Sequence, residues 1–170
     1  EVEAGIDYRL RALDQVEIYH HPADAAAERK MLDYFSMVAG EDGRKGGSIE
    51  VLGRDIDTVR RGHGVIWFEF RTLCGGPRSQ NDYLEIARGY HTVLLSHVPQ
   101  MNRHQASEAR RFTWLVDVFY DHKVKLIVTA DCAADALYTE GTQAGEFART
   151  VSRLTEMNSR EYLAQPHIAG

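Results

Sequence analysis

Long apolar runs are absent from this 170-residue sequence. Nothing in it approaches the roughly 20 consecutive apolar residues of a bilayer-crossing helix, so no membrane span is expected. The opening Glu1-Val-Glu-Ala is acidic and does not read as a secretory or transit signal. Cysteine is scarce as well. Cys74 and Cys132 stand far apart with no paired motif, which fits two reduced thiols in a cytoplasmic protein better than a disulfide framework. Positive charge is in deficit, with 20 Lys and Arg against 25 Asp and Glu and a net charge of −5. That balance argues against a general electrostatic grip on nucleic acid.

The signatures of several chemistries are missing too. Holding nucleotide phosphates on a P-loop requires G-x-x-x-x-G-K-[ST] after a strand, and no such run occurs. Gly40 to Gly47 places Lys45 among glycines, but the spacing is wrong, a helix precedes it, and no Ser or Thr directly follows the lysine. The apolar run Val93-Leu-Leu ends in Ser96 and His97 instead of paired carboxylates for magnesium. Alone, this chain is expected not to hydrolyse ATP, and no residue is assigned a catalytic role. His20-His21, His63, His91, His97, His104 and His122 show no H-E-x-x-H or Cys-x-x-Cys spacing, so no metal site is expected. No Gly-x-Ser-x-Gly elbow occurs, and Cys132, although it follows a strand end, reads as structural.

What is present suits a folded domain: 44% hydrophobic and 26% charged residues in a chain long enough to bury about 70% of its unfolded surface. Residues 106–130 organise the rest. Ala109, Phe112, Leu115, Val116 and Phe119 recur at helical spacing. Residues 123–130 then turn wholly apolar at Leu126-Ile-Val, as a central strand does. Earlier, residues 6–13 alternate as a strand and residues 15–19 could extend as a second. A helix is expected from His21-Pro22 to Val38, ended by Gly40. The charged, glycine-rich residues 41–47 read as a linker, dividing a strand–helix segment, 1–40, from a C-terminal α/β region, 48–170. Three strands near 49–52, 53–59 and 65–70 would form a small β-meander, leaving Arg54, Arg60 and Arg61 facing solvent, with a specific anion site there as the lesser alternative. Ser79 caps the next helix with Asp82 three residues on, and Tyr83, Ile86, Ala87 and Tyr90 form its inner stripe. A strand at 92–96, a short helix near 133–138 and a last helix from about 146, with Phe147, Val151 and Leu154 inward, complete the chain. The fold class is α/β: a mixed sheet flanked by helices, with the strands at Val65, Thr92 and Leu126 central.

One cluster carries charge chemistry. Arg110-Arg111 stand on a strongly apolar helix, and two guanidinium groups cannot both be buried there without partners. A salt bridge to Asp82 or Glu108 is one outcome; contact with a phosphate or a partner protein is the other.

The runs FEFRTLCGGPRSQNDYLEIARGYHTVLLSHVPQM and ARRFTWLVDVFYDHKVKLIVTA, the opening GIDYRLRAL and the closing SRLTEMNSREYL together resemble the carboxy-terminal half of the ZapE-like ATPases. These are AAA+-type bacterial division-associated relatives of the mitochondrial ATPase-family-gene-one proteins. The matching positions include Asp7-Tyr8-Arg9, Leu73-Cys74, Pro77-Arg78, Asp82-Tyr83, Ala109-Arg110-Arg111-Phe112 and Ser152-Arg153-Leu154. The family commonly has Asp where this chain has His97, so no carboxylate role carries over there. The resemblance implies that Walker A, Walker B and the first sensor precede the point at which this chain begins, and that it is the C-terminal part of a P-loop ATPase. ATP and Mg2+ would belong to the parent protein. Implied partners are the N-terminal ATPase half, FtsZ or another division protein, and further copies in a homo-oligomer. Arg110, Arg111, Arg9 and Arg78 are the residues expected at a nucleotide or partner. A non-enzymatic interaction module that folds independently is the alternative.

Overall fold

The computed structural model describes residues 18–170. The expected strand at residues 6–13, the start of the second, and Arg9 lie outside the described residues. The chain enters the sheet at β1, Tyr19–His20. Helix α1, Ala25–Ala39, follows; Asp24 caps it by accepting from the Ala27 amide at 2.9 Å, and Gly40 ends it in the left-handed conformation. Pro22 was expected in the first turn. It stands before the cap instead, and its carbonyl accepts from the Asp24 amide, because Asp24 offers the side-chain acceptor that a helix start needs. Ala27, Met31, Phe35 and Val38 form the buried stripe.

Residues 41–47, read as a linker, contain strand β2, Arg44–Lys45, which pairs antiparallel with β5, Arg60–Arg61. Gly43 explains how they dock: its φ is 73°, and a Cβ there would lie 2.6 Å from the Arg61 carbonyl oxygen and 2.7 Å from the Phe35 ring. The expected three-strand meander does not form. Strands β3, Ser48–Val51, and β4, Arg54–Asp57, make a separate two-stranded sheet. The Thr58 amide and hydroxyl then donate to the Gly47 and Gly46 carbonyls, which returns the chain to residues 46–47 before β5. Only then does β6, Val65–Glu69, enter the main sheet.

From β6 the pattern becomes strand–helix–strand: α2, Phe70–Cys74; α3, Gln80–Gly89; β7, Thr92–Val98; α4, Ala106–Asp121; β8, Lys125–Ala130. A 3-10 turn at Ala134–Ala136, α5, Ala144–Met157, and a separate one-turn helix α6, Arg160–Leu163, follow. The main sheet has the order β1-β8-β7-β6-β5-β2. Its first three pairings are parallel and the last two antiparallel, so the sheet is mixed, as expected, with β6, β7 and β8 in its interior. Right-handed crossovers from β6 to β7 and from β7 to β8 progress in one direction, so α3 and α4 share a face. Helix α1 covers the other, its Phe35 ring 6.5 Å from that of Trp67. The register Leu95↔Val128 becomes Val98↔Ala130; the extra residue is a bulge that turns His97 out between buried Ser96 and Val98.

A candidate anion site lined by arginines

The loop between α2 and α3 and the start of α4 meet on one side of the sheet, and β4 reaches the same place from the hairpin. Ser79 and Asp82 form the expected capping box, with the Ser79 amide donating to Asp82 Oδ2 at 2.8 Å. The Asp82 side chain is wholly buried, and Arg54 Nη2 donates to both its oxygens at 2.6 Å while Nη1 donates to the Pro77 carbonyl at 3.1 Å. Arg54 is exposed, as expected, yet its guanidinium also ties the hairpin to α3, because a buried carboxylate requires a cation. Arg60 and Arg61 likewise donate to the Asp42 and Ser48 carbonyls at 2.8 and 3.0 Å. Burial alone would raise the Asp82 pKa. The Arg54 and Ser79 donors, with the charges of Arg54 and Arg78, overcome it and hold the carboxyl below the ordinary range.

Arg111, 16% exposed, donates from Nε to the Cys74 carbonyl at 2.6 Å and lies 3.4 Å from Glu108 Oε1. Of the two carboxylates considered from sequence, Glu108 therefore faces Arg111, and Asp82 belongs to Arg54. Arg78 donates to the Thr72 carbonyl at 3.1 Å, and its buried Nε has no hydrogen-bond partner among the described residues. Arg110 is exposed. These four arginines, with Ser79, Ser107 and Trp114, line a depression of about 430 Å³. Three of the four arginines singled out from sequence thus share one site. Arg54, read as solvent-facing with an anion site as the lesser alternative, joins them from β4, whereas Trp114 was missed, since nothing in a half-buried indole marks a site before the fold brings it there.

A second cavity, of about 590 Å³, opens at the carboxyl ends of β6 and β7, where open α/β sheets commonly take ligands. There His97, with φ 62°, places Nδ1 2.7 Å from Glu69 Oε2 and Nε2 4.0 Å from Glu28 Oε2. The hydrogen bond that His97 donates to Glu69 raises the imidazole pKa, burial opposes it, and the charges of Glu69, Glu28 and Asp131 add to the rise. Among the described residues, no group of three or more His, Cys, Asp or Glu side chains is arranged to hold a metal ion. Cys74 is fully buried, and burial is the main cause pushing its thiol up to about 12; it is inert packing, not a nucleophile. Cys132 is half-buried and its pKa is raised by burial, Asp131 and Asp135. No helix among the described residues is long and apolar enough to cross a membrane.

Mixed sheet and flanking helices define an α/β protein, with an arginine-lined depression on one side. The family model of the AFG1-like ATPases matches residues 1–166, and the chain belongs to that family. It is 40% identical over 169 residues to the cell division protein ZapE of Escherichia coli K12, a match covering 99% of this chain and 45% of that protein. It is 33% identical over 159 residues to lactation elevated protein 1 homolog B of Danio rerio, covering 92% of this chain and 32% of the relative. The chain therefore spans less than half the length of these relatives. No solved structure matches it significantly.

Proposed function

We propose that this chain is the carboxy-terminal part of a ZapE-like ATPase acting in the bacterial cytoplasm during cell division. The whole protein hydrolyses ATP with Mg2+. This part completes the fold, supports assembly with further copies, and presents a surface to a division partner such as FtsZ. Its arginines stabilise charge on the phosphates of a nucleotide held by the N-terminal half or by a neighbouring subunit. The observation that carries this reading is the convergence of Arg78, Arg110 and Arg111 on one depression in a member of an ATPase family.

The test is steady-state ATP turnover by the full-length protein and its Arg110→Ala and Arg111→Ala variants. Removing a charge that acts on the transferring phosphoryl group lowers turnover by about 10²-fold or more. Arg110 is the cleaner probe because it is exposed, whereas Arg111 also braces Cys74 and Glu108. Unchanged turnover in Arg110→Ala and in folded Arg111→Ala sinks the charge-stabilising role.

A further inference from the structure

We propose that the groove between α4 and α5 docks an extended peptide segment of a partner protein, one that carries an acidic side chain close to an aromatic or aliphatic one. This rests on the partner-contact part of the functional reading and gives that contact a place and a chemistry. Two cavities, of about 150 and 380 Å³, share Tyr138 and Phe147 as a common wall, so they form one channel. The first is lined by Arg110 and Trp114 of α4 and by Gln143 and Glu146 at the start of α5. The second is lined by Ala144, Gly145, Ala148 and Val151. Tyr138 and Phe147 meet edge to face at 5.7 Å and are each 3% exposed, so the wall is packed in place. Alanine and glycine beside aromatic rings leave the room of a side chain, and an apolar group is favourably buried there.

Charge makes the channel selective. Arg110 and Glu146 line the same cavity and are both exposed, yet neither is in an ion pair among the described residues. A ligand in this cavity meets both charges, and a carboxylate on it can take the Arg110 fork through two hydrogen bonds. Groups that suit a peptide backbone stand between the charge and the apolar slot. Half-buried Gln143 makes no side-chain cap on α5, and its carboxamide both donates and accepts. The buried Tyr138 hydroxyl has no hydrogen-bond partner among the described residues, and the following turn closes over it only because residue 141 is glycine, since a Cβ there would collide with the hydroxyl. A peptide carbonyl entering beneath that turn removes the cost of the unpaired donor. Main-chain hydrogen bonds with a pocket for one side chain are a recurring mode of peptide recognition.

The test is selection of phage-displayed random heptapeptides on the 170-residue chain, followed by fluorescence-anisotropy titration of the peptides recovered. These should combine Asp or Glu with a nearby aromatic or aliphatic residue and bind saturably. Ala148→Trp, at an exposed position of α5, fills the slot and should abolish binding without lowering Tm. Arg110→Glu should weaken the recovered peptides about tenfold and bind better when their acid is replaced by Lys; it carries the test if Ala148→Trp does not fold. Arg88→Ala, on α3 and paired with Glu85, should bind as the parent does. No enrichment over a blank support, enrichment without an acidic residue, or parent-like binding by folded Ala148→Trp would each overturn the proposal. So would a lower oligomer mass of full-length Ala148→Trp with no peptide recovered, which would assign the groove to a second copy. Peptide binding lost in Ala148→Trp with ATP turnover of the full-length protein unchanged upholds the groove whether or not Arg110→Ala lowers turnover, so this proposal and the charge-stabilising role fail separately.

Discussion

Arg54→Ala tests how the hairpin is held to the rest of the molecule. In the native chain the fully buried Asp82 carboxylate accepts twice from Arg54 at 2.6 Å and once from the Ser79 amide at 2.8 Å. Removing Arg54 leaves a buried carboxylate with one strong donor. Breaking a fully buried pair costs about 3–5 kcal/mol and an exposed one about 0–1. Because the arginine side is 46% exposed and solvent can replace part of what is lost, the expected cost at pH 7 is about 2 kcal/mol. That corresponds to a fall in Tm of about 4–8 °C for a chain of this size. The pH dependence identifies the cause. Asp82 titrates below its ordinary value of 3.8 when folded, so the stabilisation is complete above that value and disappears as pH falls through the folded pKa. In Arg54→Ala burial prevails and protonation relieves the site, so the gap between the two proteins should narrow between pH 7 and pH 3. Urea unfolding at both pH values, with equal m-values, measures the gap. An undiminished difference at pH 3 would show that Arg54 acts by packing and refute the ion-pair account.

Lys125 is 1% exposed, donates to the Lys123, Tyr162 and Gln165 carbonyls, and is pushed down to about 8 by burial and then by the Lys123 charge. The unfolded chain therefore binds more protons between about pH 8 and 10.5, and wild type should gain up to about 3 kcal/mol relative to Lys125→Met across that window; parallel urea curves would contradict this. His97→Gly should relieve about 1 kcal/mol of left-handed strain while losing the Glu69 contact. That contact acts below the ordinary imidazole value of 6.5 and fades as pH rises through the raised folded pKa, so the variant should gain more at pH 8 than at pH 5.5; an equal gain at both would rule out the pair. Leu52 and Gly53 both have positive φ in the β3–β4 turn, so Leu52→Asn should stabilise by about 0.5–1 kcal/mol in thermal melts, and a lower Tm would count against that geometry. Native-state alkylation at pH 8 should spare Cys74, whose thiol is held near 12; rapid labelling would show that its pocket opens.

The parts legible in the sequence are those whose signals are local and repeated. Phe112, Leu115, Val116 and Phe119 repeat at a helical period, and each is fully buried on α4. Leu126-Ile-Val reads as a central strand because β8 is buried along its whole length. The Ser79–Asp82 box lies within four residues, so its geometry follows from spacing alone. Failures occur where a short segment is decided by a distant partner. Arg44–Lys45 and Arg60–Arg61 carry no strand pattern; they pair because Gly43 lets the backbone close on Phe35. Arg54 reads from sequence as a solvent-facing strand residue, since the carboxylate that fixes it lies 28 residues away.

That difference explains why the arginine cluster could be only half-read. Arg110 and Arg111 advertise themselves as charges on an apolar helix, but their surroundings depend on α2, α3 and β4, which are ordered by long-range pairing. Once those elements are placed, charge accounting sorts the four arginines without further assumption. Asp82 and Glu108 pair with two; Arg110 stands exposed on α4, and Arg78 lies in the loop before α3, where its charge helps lower the Asp82 pKa. Arg110 is the guanidinium that faces the others without an ion pair among the described residues, and it is held there against their repulsion. The arrangement is stable in an acidic chain because solvent screens the exposed Arg110, and it becomes more favourable when an anion arrives. The same repulsion sets the sign of one more outcome. Arg110→Ala should leave the chain as stable as the parent or slightly more so, while lowering turnover of the full-length protein. If it is instead clearly destabilised in urea, Arg110 is holding the fold together and the depression was never a site in waiting.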